Sequence, residues 1–293
     1  MSYDLHMKPR SGLFSQERFL SYFQERSSYV VRGQQAWYQN EDTGVYFSFE
    51  TNSARVEGEN SDPAAGYPVS FNMNFFRPSF FALEAEPELT HVVKEFDFTV
   101  LDPQTDGMGE GEYEPSRFFS GWRTGNQFGY SVILRDPSNR TDISSLPASK
   151  LERIWRWNHA RSEVQRQLGE SVFVPRIMFF KEGSSVTSAV VWSDGIPTAF
   201  PNDIDSVVVY LKELAPRTLF RRKEVIASAS WDAIRPVVER FGRSQGDAVV
   251  GDYATSPKEV VSFLRGLSPR SHDLVGVSAD SVLDAELVAQ YAA

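Results

Sequence analysis

The chain of 293 residues is 41% apolar, 13% aromatic and 24% charged, a balance that supports a buried core and excludes disorder of the whole chain. It contains no cysteine, which excludes a disulfide framework, a thiolate nucleophile and thiolate metal ligation. Its formal net charge of −9 argues against a nucleic-acid partner.

The N-terminal MSYDLHMKPRSG has no continuous apolar stretch, and no run of about 18 apolar residues occurs along the chain, so the expectation is a cytoplasmic protein with no membrane contact. Tyr3 to Met7 alternates as an opening strand. Ser15 then reads as the N-cap of a helix to about Arg26, with Phe14 placed to staple onto Phe19 and with Phe19, Leu20 and Phe23 on one side. Ala36 to Gln39 and Val45 to Glu50 make a hairpin turned at Gly44; Val45, Phe47 and Phe49 point one way, Tyr46, Ser48 and Glu50 the other. Asn52 to Pro68 is polar and rich in glycine and proline, hence a loop, and Val69 to Phe76 is a strand.

Ser79 to about Phe96 reads as helix, with Pro87 opening a second helix at its first turn. Phe98 to Leu101 is a strand, Asp102 to Pro115 a loop, and Ser116 to Phe128 a helix. Asp136 to Pro147, rich in proline, serine, asparagine and aspartate, is the expected boundary. Ala148 to Leu168 is the longest helix; its apolar residues spread beyond one stripe, so cover on more than one side is expected. Strands follow at Val172 to Phe180, Val186 to Trp192, Val207 to Leu211 and Lys223 to Ala227, and helices at Trp231 to Phe241, Pro257 to Leu267 (Ser256 as N-cap) and Ala279 to Ala289. The predicted fold is α+β, as two intimately packed halves, each a small mixed or antiparallel sheet with helices. Residues 1–140 form an acidic first half, and residues 141–293 a second half that begins with the long helix as a bridge.

Charge is uneven along this plan. Residues 1–146 hold 12 Lys+Arg against 21 Asp+Glu, whereas residues 147–293 hold 18 of each. Within the first half, Glu84 to Glu114 contains ten acids and a single cation, Lys94. Gly107, Gly109 and Gly111 lie among Asp106, Glu110 and Glu112, whose charge repels phosphate. An EF-hand loop started at Asp102 fails at its twelfth position, which is Tyr113 rather than a bidentate glutamate. The four histidines, His6, His91, His159 and His272, show no metal-ligand spacing, and neither a metal nor a cofactor is expected. His159, one helical turn after Trp155, is the single histidine worth testing as an acid or base. Arg221, Arg222 and Lys223 form an isolated basic run that reads as a solvated edge.

Tyr3-Asp4-Leu5, NEDTGVYFSF (Asn40 to Phe49), FFRPSFFALEAEPEL (Phe75 to Leu89), Val100 to Pro103, AVVWSDGIP (Ala189 to Pro197) and ELAPRTLFRR (Glu213 to Arg222) together resemble a group of poorly characterised bacterial cytoplasmic proteins akin to polymorphic-toxin immunity proteins. The resemblance implies a toxin-neutralising, non-enzymatic module and carries over no catalytic residue. On that reading the acidic window faces a basic toxin domain and occludes its active site. The residues expected to meet the partner are Glu84, Glu86, Glu88, Asp102, Asp106, Glu110, Glu112 and Glu114. The rival readings are a carboxylate enzyme, with candidates Glu41, Asp42, Asp102 and Asp106, and a structural subunit of a larger assembly.

Overall fold

The computed structural model describes residues 1–52, 65–104, 106–183, 185–215, 224–270 and 274–292. In chain order the elements begin β1 (Ser2–Pro9), α1 (Gln16–Gln24), β2 (Tyr29–Arg32), β3 (Gln35–Gln39), β4 (Tyr46–Thr51), β5 (Val69–Asn74), α2 (Phe80–Glu95), β6 (Phe98–Asp102), β7 (Gly109–Gly111), α3 (Pro115–Ile133), β8 (Ser144–Leu146) and α4 (Ala148–Leu168). They continue β9 (Met178–Glu182), β10 (Ser185–Ser193), β11 (Ala199–Pro201), β12 (Ser206–Leu211), β13 (Val225–Ser230), α5 (Trp231–Arg240), β14 (Gly242–Gln245), β15 (Ala248–Gly251), α6 (Lys258–Gly266), β16 (Val275–Val277), β17 (Val282–Asp284) and α7 (Ala285–Tyr291). The fold is α+β, and the chain divides into two compact units, Met1–Ala148 with Asp280–Ala293, and Ser149–Ala279.

The first unit is built on a seven-stranded antiparallel sheet in the order β2-β3-β4-β5-β1-β6-β7. Alternation along each strand sends Tyr3, Leu5, Met7, Phe47, Phe49, Phe71, Phe98 and Val100 to one face, where all are buried. α1 lays Phe19 and Phe23 onto that face, the Phe23 ring stacked 5.1 Å from Phe49. Each such phenylalanine contributes about 1.5–3 kcal/mol through burial, so this aromatic layer dominates the stability of the unit. Ser15 caps α1 by accepting from the Arg18 N–H, and Phe14 packs on Phe19 at 5.6 Å, as the sequence predicts. α3 approaches the end of β5 closely at Gly125, where a Cβ would fall 2.1 Å from the Phe75 ring. The last segment of the chain returns to this unit. β17 pairs in parallel with β8, Leu283 packs with Tyr130 and Leu134, and the Asp284 carboxylate accepts from the Ser79 N–H (2.9 Å) and hydroxyl (2.7 Å) at the start of α2.

The second unit holds a five-stranded mixed sheet, β13-β12-β10-β9-β16, in which β10 and β12 are parallel, and a three-stranded antiparallel sheet, β11-β15-β14. Trp192, Phe200 and Trp231 form its aromatic centre, with Phe200 edge-on to Trp192 and stacked on Trp231. α4 buries Leu151 and Ile154, and its buried Asn158 exchanges two hydrogen bonds with the Ile177 backbone, at 2.9 and 2.8 Å.

Several predicted details differ. The sequence places one cut at 140/141; the structure divides after Ala148 and gives residues 280–293 to the first unit, because the short β8 and β17 complete each other. α2 runs unbroken through Pro87, held by buried Ala85, Leu89, Val92 and Val93 on both sides of the proline. Ser256 is not the N-cap of α6; Pro257 occupies that position, and the Ser256 hydroxyl donates to Gly195 O at 2.8 Å instead. The predicted helix Ala279 to Ala289 is strand β17 followed by the shorter α7. The predicted loop Asp102 to Pro115 contains strand β7. The Arg221–Lys223 run, His272 and most of the Asn52–Pro68 segment lie outside the described residues.

Candidate functional site

The ten acids between Glu84 and Glu114 do not share one surface. Glu84 is 3% exposed, and its Oε1 accepts from Tyr38 Oη (2.7 Å), Asn40 Nδ2 (2.7 Å) and Thr43 Oγ1 (3.1 Å), pinning α2 to the β3–β4 hairpin. Asp102 is 2% exposed; it accepts from Tyr3 Oη at 2.5 Å and from the Gln104 and Met108 N–H groups. Burial, followed by the neighbouring Asp102 carboxylate, pushes the Tyr3 hydroxyl far above the usual range, so it stays a donor. Gly107 packs on the same carboxylate, since a Cβ there would sit 2.3 Å from Asp102 Cγ. That glycine serves the wrapping of Asp102, and Glu84 and Asp102 are turned inward, away from any docking protein.

The other acids are largely engaged. Glu86 accepts from Thr90 Oγ1, and the half-buried Glu88 carboxylate takes the Arg26 guanidinium at 2.8 Å and the Tyr29 hydroxyl at 2.7 Å. Glu95 pairs with Arg18, Asp97 and Glu112 with Arg10, Glu110 with Lys8, and Glu114 with Arg117. Hydrogen bonds from Lys8 first, and from Tyr67, hold the Glu110 carboxyl below the usual carboxylate range. Asp106 is exposed. The acidity of the window along the chain is thus answered in space by cations from β1, α1 and α3.

The catalytic alternative fares no better as a constellation. Glu41 and Asp42 lie in the β3–β4 turn and Asp102 at the end of β6, with β5 and β1 between β4 and β6, a separation of about 14 Å at 4.7–4.9 Å per strand. Among the described residues no group of three or more histidines and carboxylates is arranged to hold a metal ion. His159 is exposed on α4 against Trp155, ring centres 5.4 Å apart.

The structure assembles a second feature, on the sheet face opposite the aromatic layer. One row crosses Val30, Trp37, Ser48, Asn72 and Asp4; the next crosses Arg32, Gln35, Glu50, Ser70, His6, Leu101 and Glu110. The middle of this face is polar and internally bonded: Asn72 Nδ2 donates to Asp4 at 2.5 Å, Gln35 Nε2 to the Ser48 hydroxyl at 3.2 Å, and the His6 ring meets the Ser70 hydroxyl at 2.8 Å. Its two ends differ sharply. At the β2–β3–β4 end, Val30 is 48% and Trp37 36% exposed. Trp37 stacks on Tyr46 at 5.8 Å and 15°, and the Arg77 guanidinium lies over the Tyr46 ring while donating to its hydroxyl. At the β1–β6–β7 end stand the exposed pairs Lys8–Glu110 and Arg10–Glu112. Alternation in VYFSFE already sets Tyr46, Ser48 and Glu50 on this face; Trp37 joins them through the β3–β4 register, which a hairpin prediction alone does not specify.

Comparison of the chain with protein-family models, with curated proteins and with solved structures returns no match in any of the three.

Proposed function

We propose that this chain is a protein-binding module that covers a basic site on another protein, as an immunity protein covers its toxin, and that the outer face of the seven-stranded sheet is its docking surface. The observation that carries the reading is Trp37: a large aromatic side chain, 36% exposed, held rigid by stacking on Tyr46 and flanked by Val30 and Arg77. Tryptophan, tyrosine and arginine are the residue types enriched at binding hot spots, and a stacked ring loses little conformational freedom on docking. The opposite end of the same face supplies direction. Glu110 and Glu112 keep 58% and 75% of their side chains exposed while paired, so a partner's cations can join them without displacing Lys8 or Arg10, and such rim charges act mainly on encounter rate. A role of this kind places the protein in the bacterial cytoplasm beside the toxin it neutralises.

The test is affinity capture from the native host with the wild-type chain, Trp37→Ala, and the triple variant Glu110→Lys, Glu112→Lys, Glu114→Lys. The expected outcome is a captured protein with a basic surface. Its affinity drops at least tenfold with Trp37→Ala, and its association rate falls and loses salt dependence with the triple variant. Undiminished capture by both variants, each folded as the wild type, refutes the assignment of this face.

A further inference from the structure

The second unit contains a cleft of about 470 Å³ between α4 and the β11-β15-β14 sheet, within the range of about 300–1,000 Å³ that small-molecule sites occupy. We infer that this cleft binds a small uncharged amphiphile: an apolar body along α4 with a hydroxyl- or amide-type head at the Arg153 end. The space exists because small residues face one another across it, Ala160 on the helix against Ala199 and Ala248 on the sheet. Trp157, Val164 and Leu168 continue the helix wall as partly exposed apolar side chains packed on buried Val174, Ala199 and Val250. From Trp157 to Leu168 this stripe extends about 16 Å at 1.5 Å per residue, long enough for a medium-length chain. The Trp157 ring is fixed in place by its Nε1, which donates to Pro175 O at 2.8 Å.

The head group follows from the charges at the mouth. Arg153 is held by Asp203 at 2.8 Å and Arg156 by Glu152 on its own helix. Asn202, whose N–H donates to Asp247 O, ties the two sheet-side loops together there. Asn202 and Gln245 add amides that both donate and accept. An anionic head would meet Asp203 and Asp247, and a cationic head Arg153 and Arg156. A neutral head finds hydrogen-bonding groups of both kinds and breaks no ion pair.

The experiment measures displacement of the fluorescent probe N-phenyl-1-naphthylamine from the full chain by three decyl compounds that differ only in the head: decan-1-ol, decanoate and decylamine. Decanol is expected to displace the probe at a lower concentration than either charged compound. Ala160→Trp, an exposed position that fills the cleft from the helix side, is expected to weaken decanol at least tenfold with Tm unchanged. Gln245→Trp fills it from the exposed β14 side and decides the matter where Ala160→Trp lowers Tm. Failure of decanol to displace the probe, decanol binding unaltered in the folded variants, or a charged decyl compound matching or exceeding decanol overturns the inference.

Discussion

Removing the Glu84 carboxylate separates a structural role from a docking role for the most heavily hydrogen-bonded buried acid of helix α2. Glu84→Ala deletes the shared acceptor of Tyr38, Asn40 and Thr43. Tyr38 and Thr43 are 4% and 2% exposed, so neither hydroxyl can turn to water, whereas half-buried Asn40 can. At about 1–3 kcal/mol for each buried donor left unpaired, the two hydroxyls together cost about 2–6 kcal/mol. Glu84→Gln keeps an acceptor in place and falls between the wild type and the alanine variant. Urea unfolding followed by tryptophan fluorescence gives the result directly, as a lowered midpoint with an unchanged m value. The partner affinity of the folded fraction stays at the wild-type level. An alanine variant whose midpoint equals that of the wild type, combined with weakened partner binding, refutes the reasoning and returns Glu84 to the docking surface.

Three further outcomes are expected. Burial raises the Asp284 carboxyl above its ordinary value of 3.8, opposed by the hydrogen bonds from Ser79; the folded state therefore binds the proton more tightly, and the group's stabilisation, full at low pH, is lost as pH rises through the raised value. Unfolding free energies of wild type and Asp284→Asn, measured from pH 4 to pH 7, should accordingly move in favour of the variant as pH rises; a difference constant with pH contradicts this. Removing residues 280–293 uncovers Tyr130 and Leu134, strips β8 of its partner and frees Ser79; dye binding to exposed apolar surface and a broadened thermal transition are expected, and a sharp wild-type transition argues against it. Gly125→Ala should lower Tm through the collision with the Phe75 ring, and an unchanged Tm shows that the ring swings aside at little cost.

The first unit is the more legible in sequence because its strand periodicity is strong and its first helix carries an orthodox cap. Tyr3, Leu5 and Met7, the Ser15 cap with the Phe14–Phe19 staple, and the hairpin at Gly44 each follow from local rules and are found in place. Apart from β2, which turns back on β3 locally at Gly33, most elements not predicted are those whose reason lies elsewhere in the chain. β7, β8 and β17 have three residues each and exist only as partners of β6 and of each other. β11, β14 and β15 are likewise short, and Gly242 and Gly251 weaken the strand signal where they pair. Pro87 shows the converse, a strong local breaker overridden by burial on both sides of it.

The candidate site was the least legible part, and electrostatics explains why. A run of acids in sequence predicts a field only if its neighbours in space are also acidic. Here an antiparallel sheet sets Lys8 of β1, and Arg10 just beyond it, against Glu110 and Glu112 across β6, at about a hundred residues' separation in the chain, and α1 and the turn after it bring Arg18 and Arg26 to Glu95 and Glu88. Two more acids are drawn inside as acceptors for tyrosine hydroxyls. What remains outside is a set of exposed pairs, whose field decays within roughly 8 Å at physiological ionic strength and which therefore steer a partner only at close range. Under the proposed function affinity has to come from an apolar anchor, and on the same face the exposed, stacked Trp37 beside Val30 is the side chain offered for that role. On the proposed docking reading, the order of importance within the site is the reverse of the order in which the sequence displays it: the aromatic end would hold the partner, and the acidic end would admit it.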